Sequence, residues 1–138
     1  MVRTYRFQIA TRGDNDLVAI TDRVESAVRS AGLTAGTATV FVRHSTAAIA
    51  TTEYEPGLLA DLQAAVDRLV PRDLPYRHNL APGEDNGHAH VRAALFGPSL
   101  VVPFADGRLL LGTWQQIVLA DFDTRPRERE IVVQVIGE

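Results

Sequence analysis

The chain contains no cysteine among its 138 residues. That excludes a disulfide framework, a thiolate metal site and a cysteine nucleophile. Positive charge is also in short supply. Fourteen basic residues, all arginine, stand against seventeen acids, for a formal net charge of −3. A dedicated nucleic-acid binder would carry a basic excess or stripe, so no nucleic-acid partner is expected. No apolar run approaches the ~20 residues a helix needs to cross a bilayer, so no membrane partner is expected either. The first residues, Met1 to Phe7, lack the apolar core of a secretion signal, and a cytoplasmic location is the expectation. Missing too are internal repeats, low-complexity tracts, a Gly-x-Gly-x-x-Gly or P-loop stretch, and a Gly-x-Ser-x-Gly elbow. Dinucleotide binding, nucleoside triphosphate binding and α/β-hydrolase chemistry lose their usual signatures with them.

What is present fits one globular domain spanning residues 1–138, with 46% hydrophobic and 22% charged residues. A chain of this length buries ~68% of the surface it exposes when unfolded. Tyr5, Phe7 and Ile9 alternate with polar neighbours and predict a half-buried strand. Thr21 is a candidate cap for a helix carrying Val24, Ala27, Val28 and Ala31 on one face, which Gly32 would stop. Thr37 to Val42 is β-branched and apolar on both faces, as in a central strand buried from two sides. Pro56 opens the clearest helix, with Leu58, Leu59, Leu62, Ala65, Val66 and Leu69 on one stripe and Pro71 beyond its end. Residues 72–87 show no periodicity, and loops that long are more often functional than idle. A short helix from about His90 to Phe96 should follow. Strands are expected at 100–104, 108–111, 113–121 and 131–136, with Asp106-Gly107 as a hairpin turn. The order is α+β rather than alternating βαβ, with about three helices flanking a mixed sheet core.

Chemistry gathers around histidine. His78, His88 and His90 crowd into the loop-rich stretch, and His44 closes the apolar run 39–44 just before Ser45 and Thr46. Imidazole titrates near neutral pH and is the commonest metal ligand. His44, His78 and His90 could converge on a divalent ion, zinc or magnesium, with Glu53 or Asp85 nearby. His88 and His90 share a face only if their stretch is extended. If the helix has already begun at His88, they diverge by ~200°. Glu53 is a candidate general base or partner of a ligating imidazole, and equally a helix-dipole partner. Ser45 and Thr46 could donate to an anionic substrate. A Ser45–His44 dyad is disfavoured, because neighbouring strand residues face opposite ways. Asp85 and Asn86 lead into a helix start, where free N–H groups attract phosphate. Arg127 and Arg129 could add positive charge there, or belong to an exposed, self-neutralising run. Trp114 and Gln115 are residues of the kind usually found in core and edge positions.

Taken together, His44-Ser45-Thr46-Ala47-Ala48 with Glu53, then Tyr76, His78, Glu84-Asp85, His90, Gly97, Pro103, Gly107, Leu111-Gly112-Thr113-Trp114-Gln115 and Arg129 to Gly137 resemble the YjbQ-like family, the secondary thiamine-phosphate synthase enzymes. The likeness covers nearly the whole chain. It implies an α+β fold with a β-sandwich or barrel-like core and assembly as a homotrimer. It also implies a site at subunit edges built from His44, His78 and His90 with Glu53 nearby. Trp114 and Gln115 join the expected substrate-binding residues. His88 falls outside the shared pattern, and Asp121 stands where the family tends to carry glutamate. The resemblance implies a transferase acting on a phosphorylated small molecule, metal and arginine stabilising a departing diphosphate. The rival expectation is a non-catalytic trimer that binds a metabolite or a partner protein.

Overall fold

The computed structural model describes all 138 residues, 1–138. Eight strands and three α-helices form in the order β1 (Val2–Thr11), β2 (Asp16–Ala19), α1 (Thr21–Ala31), β3 (Ala35–Val42), β4 (Ala47–Thr52), α2 (Pro56–Leu69), α3 (Gly87–Phe96), β5 (Ser99–Ala105), β6 (Arg108–Leu109), β7 (Gln116–Asp121) and β8 (Arg127–Gly137). A single 3-10 turn, Arg77–Leu80, sits between α2 and α3. The strands make two antiparallel sheets, one ordered β1-β8-β3-β5-β6 and the other β2-β7-β4.

The three-stranded sheet is the middle layer. Ile117 and Leu119 of β7 and Ile49 of β4 meet Val40, Val102, Ile131 and Val133 of the larger sheet, and Val24 and Val28 of α1 join the same cluster. On its other face, Ala48, Ala120 and Phe122 pack against Val66 of α2 and Ala89 and Ala93 of α3. β7 is therefore apolar on both sides, which is why Ile117 to Ala120 read as an unbroken hydrophobic run.

The α+β class and the curled, barrel-like sheet core match expectation, and several local details differ. β3 is central to its sheet, yet only Ala38, Val40 and Val42 face the core, and Phe41 is 39% exposed. β2 and β4 had no clear signal, being four and six residues long. Thr21 does not cap α1. The cap position is Ile20, without a side-chain bond, and Thr21 Oγ1 instead accepts the Ile117 N–H at 2.9 Å. At α2 the cap is Glu55, whose carboxylate accepts the N–H groups of Gly57 and Leu58 at 2.9 and 2.7 Å. Only Val66 of the α2 stripe is fully buried, and Leu69 is 75% exposed.

α3 begins at Gly87, three residues before the expected start. A methyl group on Gly87 would come within 2.6 Å of Tyr76 Cβ, so only glycine lets the 3-10 turn lie against the helix start. That contact seats His78 beside His90.

Candidate functional site

An early start for α3 separates the two histidines it carries, by the helical angle of ~100° per residue. His88 turns into the protein and is 1% exposed. It lines a polar cavity of about 390 Å³ with Asn15, Arg72 and Arg92. Burial, reinforced by the Arg92 and Arg72 charges, pushes its pKa down. His90 turns the other way and lines a cleft of about 250 Å³ with His44, Ser45, Ala47, Ala93, Ala94 and Pro98. The His78 ring stands edge-on to His90, with centroids 4.6 Å apart.

His44 lies just past the end of β3, and its Nε2 accepts the Glu130 N–H at 3.1 Å. The neutral ring then carries its proton on Nδ1. Burial and, next, the Arg129 charge push its pKa below the ordinary 6.5. Both of its nitrogens are thereby occupied in the neutral form, one by an accepted bond and one by a proton. No three His, Asp or Glu side chains of the chain converge as a metal-holding group. His44 and His90 line one cleft and His78 stands against His90, and in one protomer the three imidazoles do not form the three-donor set a zinc ion takes.

Behind the cleft runs a buried polar network. Arg129 is 3% exposed, and its guanidinium grips Asp121 in a two-pronged pair, Nε to Oδ2 and Nη2 to Oδ1, both at 2.7 Å. Thr11 Oγ1 also donates to Asp121 Oδ2. Arg129 Nη2 donates to Thr46 Oγ1 at 2.7 Å, and that hydroxyl donates to Asp123 Oδ2 at 3.0 Å. Asp123 further accepts from Thr124 N–H at 2.8 Å and Asn86 Nδ2 at 3.3 Å, and it pairs with Arg127 at 3.1 Å. Burial alone would raise the Asp123 pKa, but those donors outweigh it and hold the carboxyl at about 2. Asn86 Oδ1 completes the line 3.2 Å from His78 Nε2, which also faces Glu84 Oε2 at 3.3 Å.

The other residues expected at the site thus fall into three groups, with Asp85 apart from them. Ser45 is exposed on the cleft wall beside His44 and His90. Thr46, Asn86 and Arg129 lie inside the network, bonded to protein partners rather than presented to solvent. Arg129 has no freedom to leave for a phosphate, because Asp121 would be stranded in the core. Asp85 is exposed and accepts from Thr124 Oγ1 at 3.3 Å. The helix-start N–H of Gly87 is taken by Asn79 Oδ1 at 2.9 Å, so that part of the expected anion site is already filled.

Glu53, Trp114 and Gln115 form the third group, around a separate surface cavity of about 400 Å³ with Thr52, Gly112 and Thr113. The six residues of β4, at ~3.3 Å each, lie between Glu53 and His44. Glu53 therefore does not face His44 and His90 of its own chain. Trp114 is 72% exposed, not a core residue, and Gln115 spends its amide on Gly112 N–H and Thr51 Oγ1.

Sequence reasoning passed over Asp123 and the function of Asp121. A signal was available: Asp121 and Asp123, like Arg127 and Arg129, are two apart at a strand end and so share a face. Two acids and two arginines in that pattern can neutralise each other inside a core.

The family model described as UPF0047 protein YjbQ-like matches residues 5–138. A UPF0047 protein of Methanothermobacter thermautotrophicus is 39% identical over 137 residues, covering 99% of this chain and 94% of the relative. One from Synechocystis is 40% identical, covering 94% and 88%. Among solved structures, a hypothetical protein from Aeropyrum pernix K1 superposes with a TM-score of 0.91 at 35% identity, covering 99% of both chains. A YbjQ-like protein of unknown function from Sulfolobus solfataricus P2 gives 0.90 at 37%, covering both completely.

Proposed function

Since the chain belongs to the YjbQ-like UPF0047 family, we propose that it is a small-molecule enzyme of that family whose chemistry is proton transfer and hydrogen bonding by histidine in the cleft between His44 and His90. One observation carries this: imidazoles from two distant parts of the chain line the same cleft, and a third, His78, stands against one of them. The lowered pKa of His44 keeps it neutral at pH 7, so it serves as a hydrogen-bond donor through Nδ1–H rather than as a charge. Ser45 adds a hydroxyl, and the alanines at 47, 93 and 94 leave room for an apolar portion of a substrate.

A phosphorylated metabolite is the substrate class proposed for this cleft. A thiamine-phosphate synthase step asks for more, because departing diphosphate needs concentrated positive charge. The cleft lining contains no arginine, and one protomer does not supply a three-donor metal group. What the lining does supply is imidazole and hydroxyl groups suited to acid–base chemistry. The homotrimer is part of the same proposal. It is supported by apolar side chains left on the outer face of the large sheet, Phe41, Val101 and Ile136, and on the neighbouring Leu110 and Trp114.

The test is ligand binding followed by turnover. Phosphorylated metabolites and inorganic phosphate are titrated into purified protein and followed by the NMR signals of His44 and His90. A ligand should perturb both rings, and His44→Ala or His90→Ala should weaken it about tenfold or more, the scale of one lost charge-assisted or neutral hydrogen bond in a site. Binding that leaves both signals and both variants unaffected would remove the cleft from the function. A ligand held unchanged through long incubation would make the protein a binder rather than an enzyme.

A further inference from the structure

Asp123 does more than neutralise arginine. A carboxylate held ionised has no proton to donate, so every group bonded to it must be a donor. Asn86 reaches Asp123 Oδ1 at 3.3 Å, and the atom there must be its amide nitrogen. The orientation of the amide is thereby decided by the network and not by Asn86 itself. Its carbonyl oxygen is turned to the opposite side, 3.2 Å from His78 Nε2. A carbonyl oxygen only accepts, and so does the Glu84 carboxylate 3.3 Å from the same nitrogen. His78 Nε2 must therefore carry a proton whether the ring is neutral or charged.

We infer that Asn86 is a positioning residue that locks His78 in its Nε2–H form, leaving Nδ1 as the one nitrogen of that ring with a free lone pair. His44 is fixed the opposite way. Its Nε2 accepts the Glu130 N–H, and its neutral ring presents Nδ1–H. One histidine thus offers a lone pair and another a donor, each assigned by a backbone or buried group that a substrate does not touch. His44 donates a hydrogen bond to a substrate oxygen without giving up its proton.

The inference uses the acid–base reading of the cleft for its purpose, but its test needs no substrate. Protein with 15N-labelled histidine is observed by NMR near pH 9. His78 in the wild type should show a single species with hydrogen on Nε2, and His44 a single species with hydrogen on Nδ1. Asn86→Ala combined with Glu84→Ala removes both acceptors from Nε2 and should convert His78 to the averaged mixture of an unconstrained imidazole, leaving His44 as an internal control for folding. Glu84→Ala should leave the His78 pattern unchanged. Hydrogen on His78 Nδ1 in the wild type, a mixed signal in Glu84→Ala alone, or a pure Nε2–H signal persisting in the double variant, overturns the assignment. The wild-type spectrum decides on its own if the double variant does not fold. A locked His78 in a protein whose cleft binds nothing would sink the proposed function and leave the lock standing.

Discussion

Asp121 and Arg129 are two charges removed from water, bonded at two points, with Thr11 and Thr46 taking further valences. Such a pair contributes little net stability against a well-packed apolar pair, but stranding one member is costly. Arg129→Met should destabilise the fold by ~3–5 kcal/mol in urea titration, and adding Asp121→Leu should recover much of that loss. If the single variant is as stable as wild type, the network is not holding the core. Asp123 makes the pH dependence. Its folded pKa, about 2, lies below the ordinary 3.8. Its stabilising contribution is therefore complete above 3.8 and is lost as pH falls through the folded value, amounting to ~2 kcal/mol. His44 acts in the same direction at higher pH. Because burial and Arg129 lower its pKa, stability is intact above 6.5 and declines as acid forces a proton onto the ring. Unfolding curves at pH 7, 5, 3 and 2 check both, and Asp123→Asn should flatten the acid limb.

Strand pairing sets the requirements of the elements. Gly36 of β3 and Gly137 of β8 are paired directly. A Cβ at Gly36 would collide with the Ile136 carbonyl oxygen, and one at Gly137 with the Ala35 carbonyl oxygen. These are backbone atoms held in a ladder and cannot swing aside like the end of a side chain. Gly36→Ala should cost at least the ~1–3 kcal/mol typical of overpacking, seen as a lowered melting temperature by circular dichroism. Gly32, where an added Cβ meets nothing within 4 Å, is the comparison position, although its φ of 67° keeps a smaller conformational cost.

For the whole molecule, the homotrimer reading predicts a solution mass three times the 15.1 kDa of the chain by light scattering. Val101 and Leu110, each 59% exposed, are the side chains whose replacement should matter. Val101→Asp should shift the mass toward one protomer while circular dichroism remains folded. A wild-type protein that runs as a monomer across micromolar concentrations would leave the apolar face without that explanation.

Much of this molecule was legible before any coordinates. Period-two alternation at Tyr5, Phe7 and Ile9, the Asp106-Gly107 turn and the Pro56 helix start are consequences of local sterics and patterning, and the chain carries them wherever it goes. The His-Ser-Thr-Ala and Leu-Gly-Thr-Trp-Gln motifs were enough to indicate the family. Burial state was less legible. The Arg-rich stretch that runs into β8 looks exposed in sequence, and only the pairing of β8 with β1 and β3 brings Arg129 inward to meet Asp121. His88 and His90 differ by two residues and occupy different cavities because α3 starts at Gly87, a start fixed by contact with Tyr76. Glu53 and His44 are nine residues apart in sequence, yet β4 holds them at its two ends. Local composition thus determined which segments become strands and helices. Which side chains meet was decided by long-range packing, because the pairing of distant strands chooses the face each charge or imidazole must occupy.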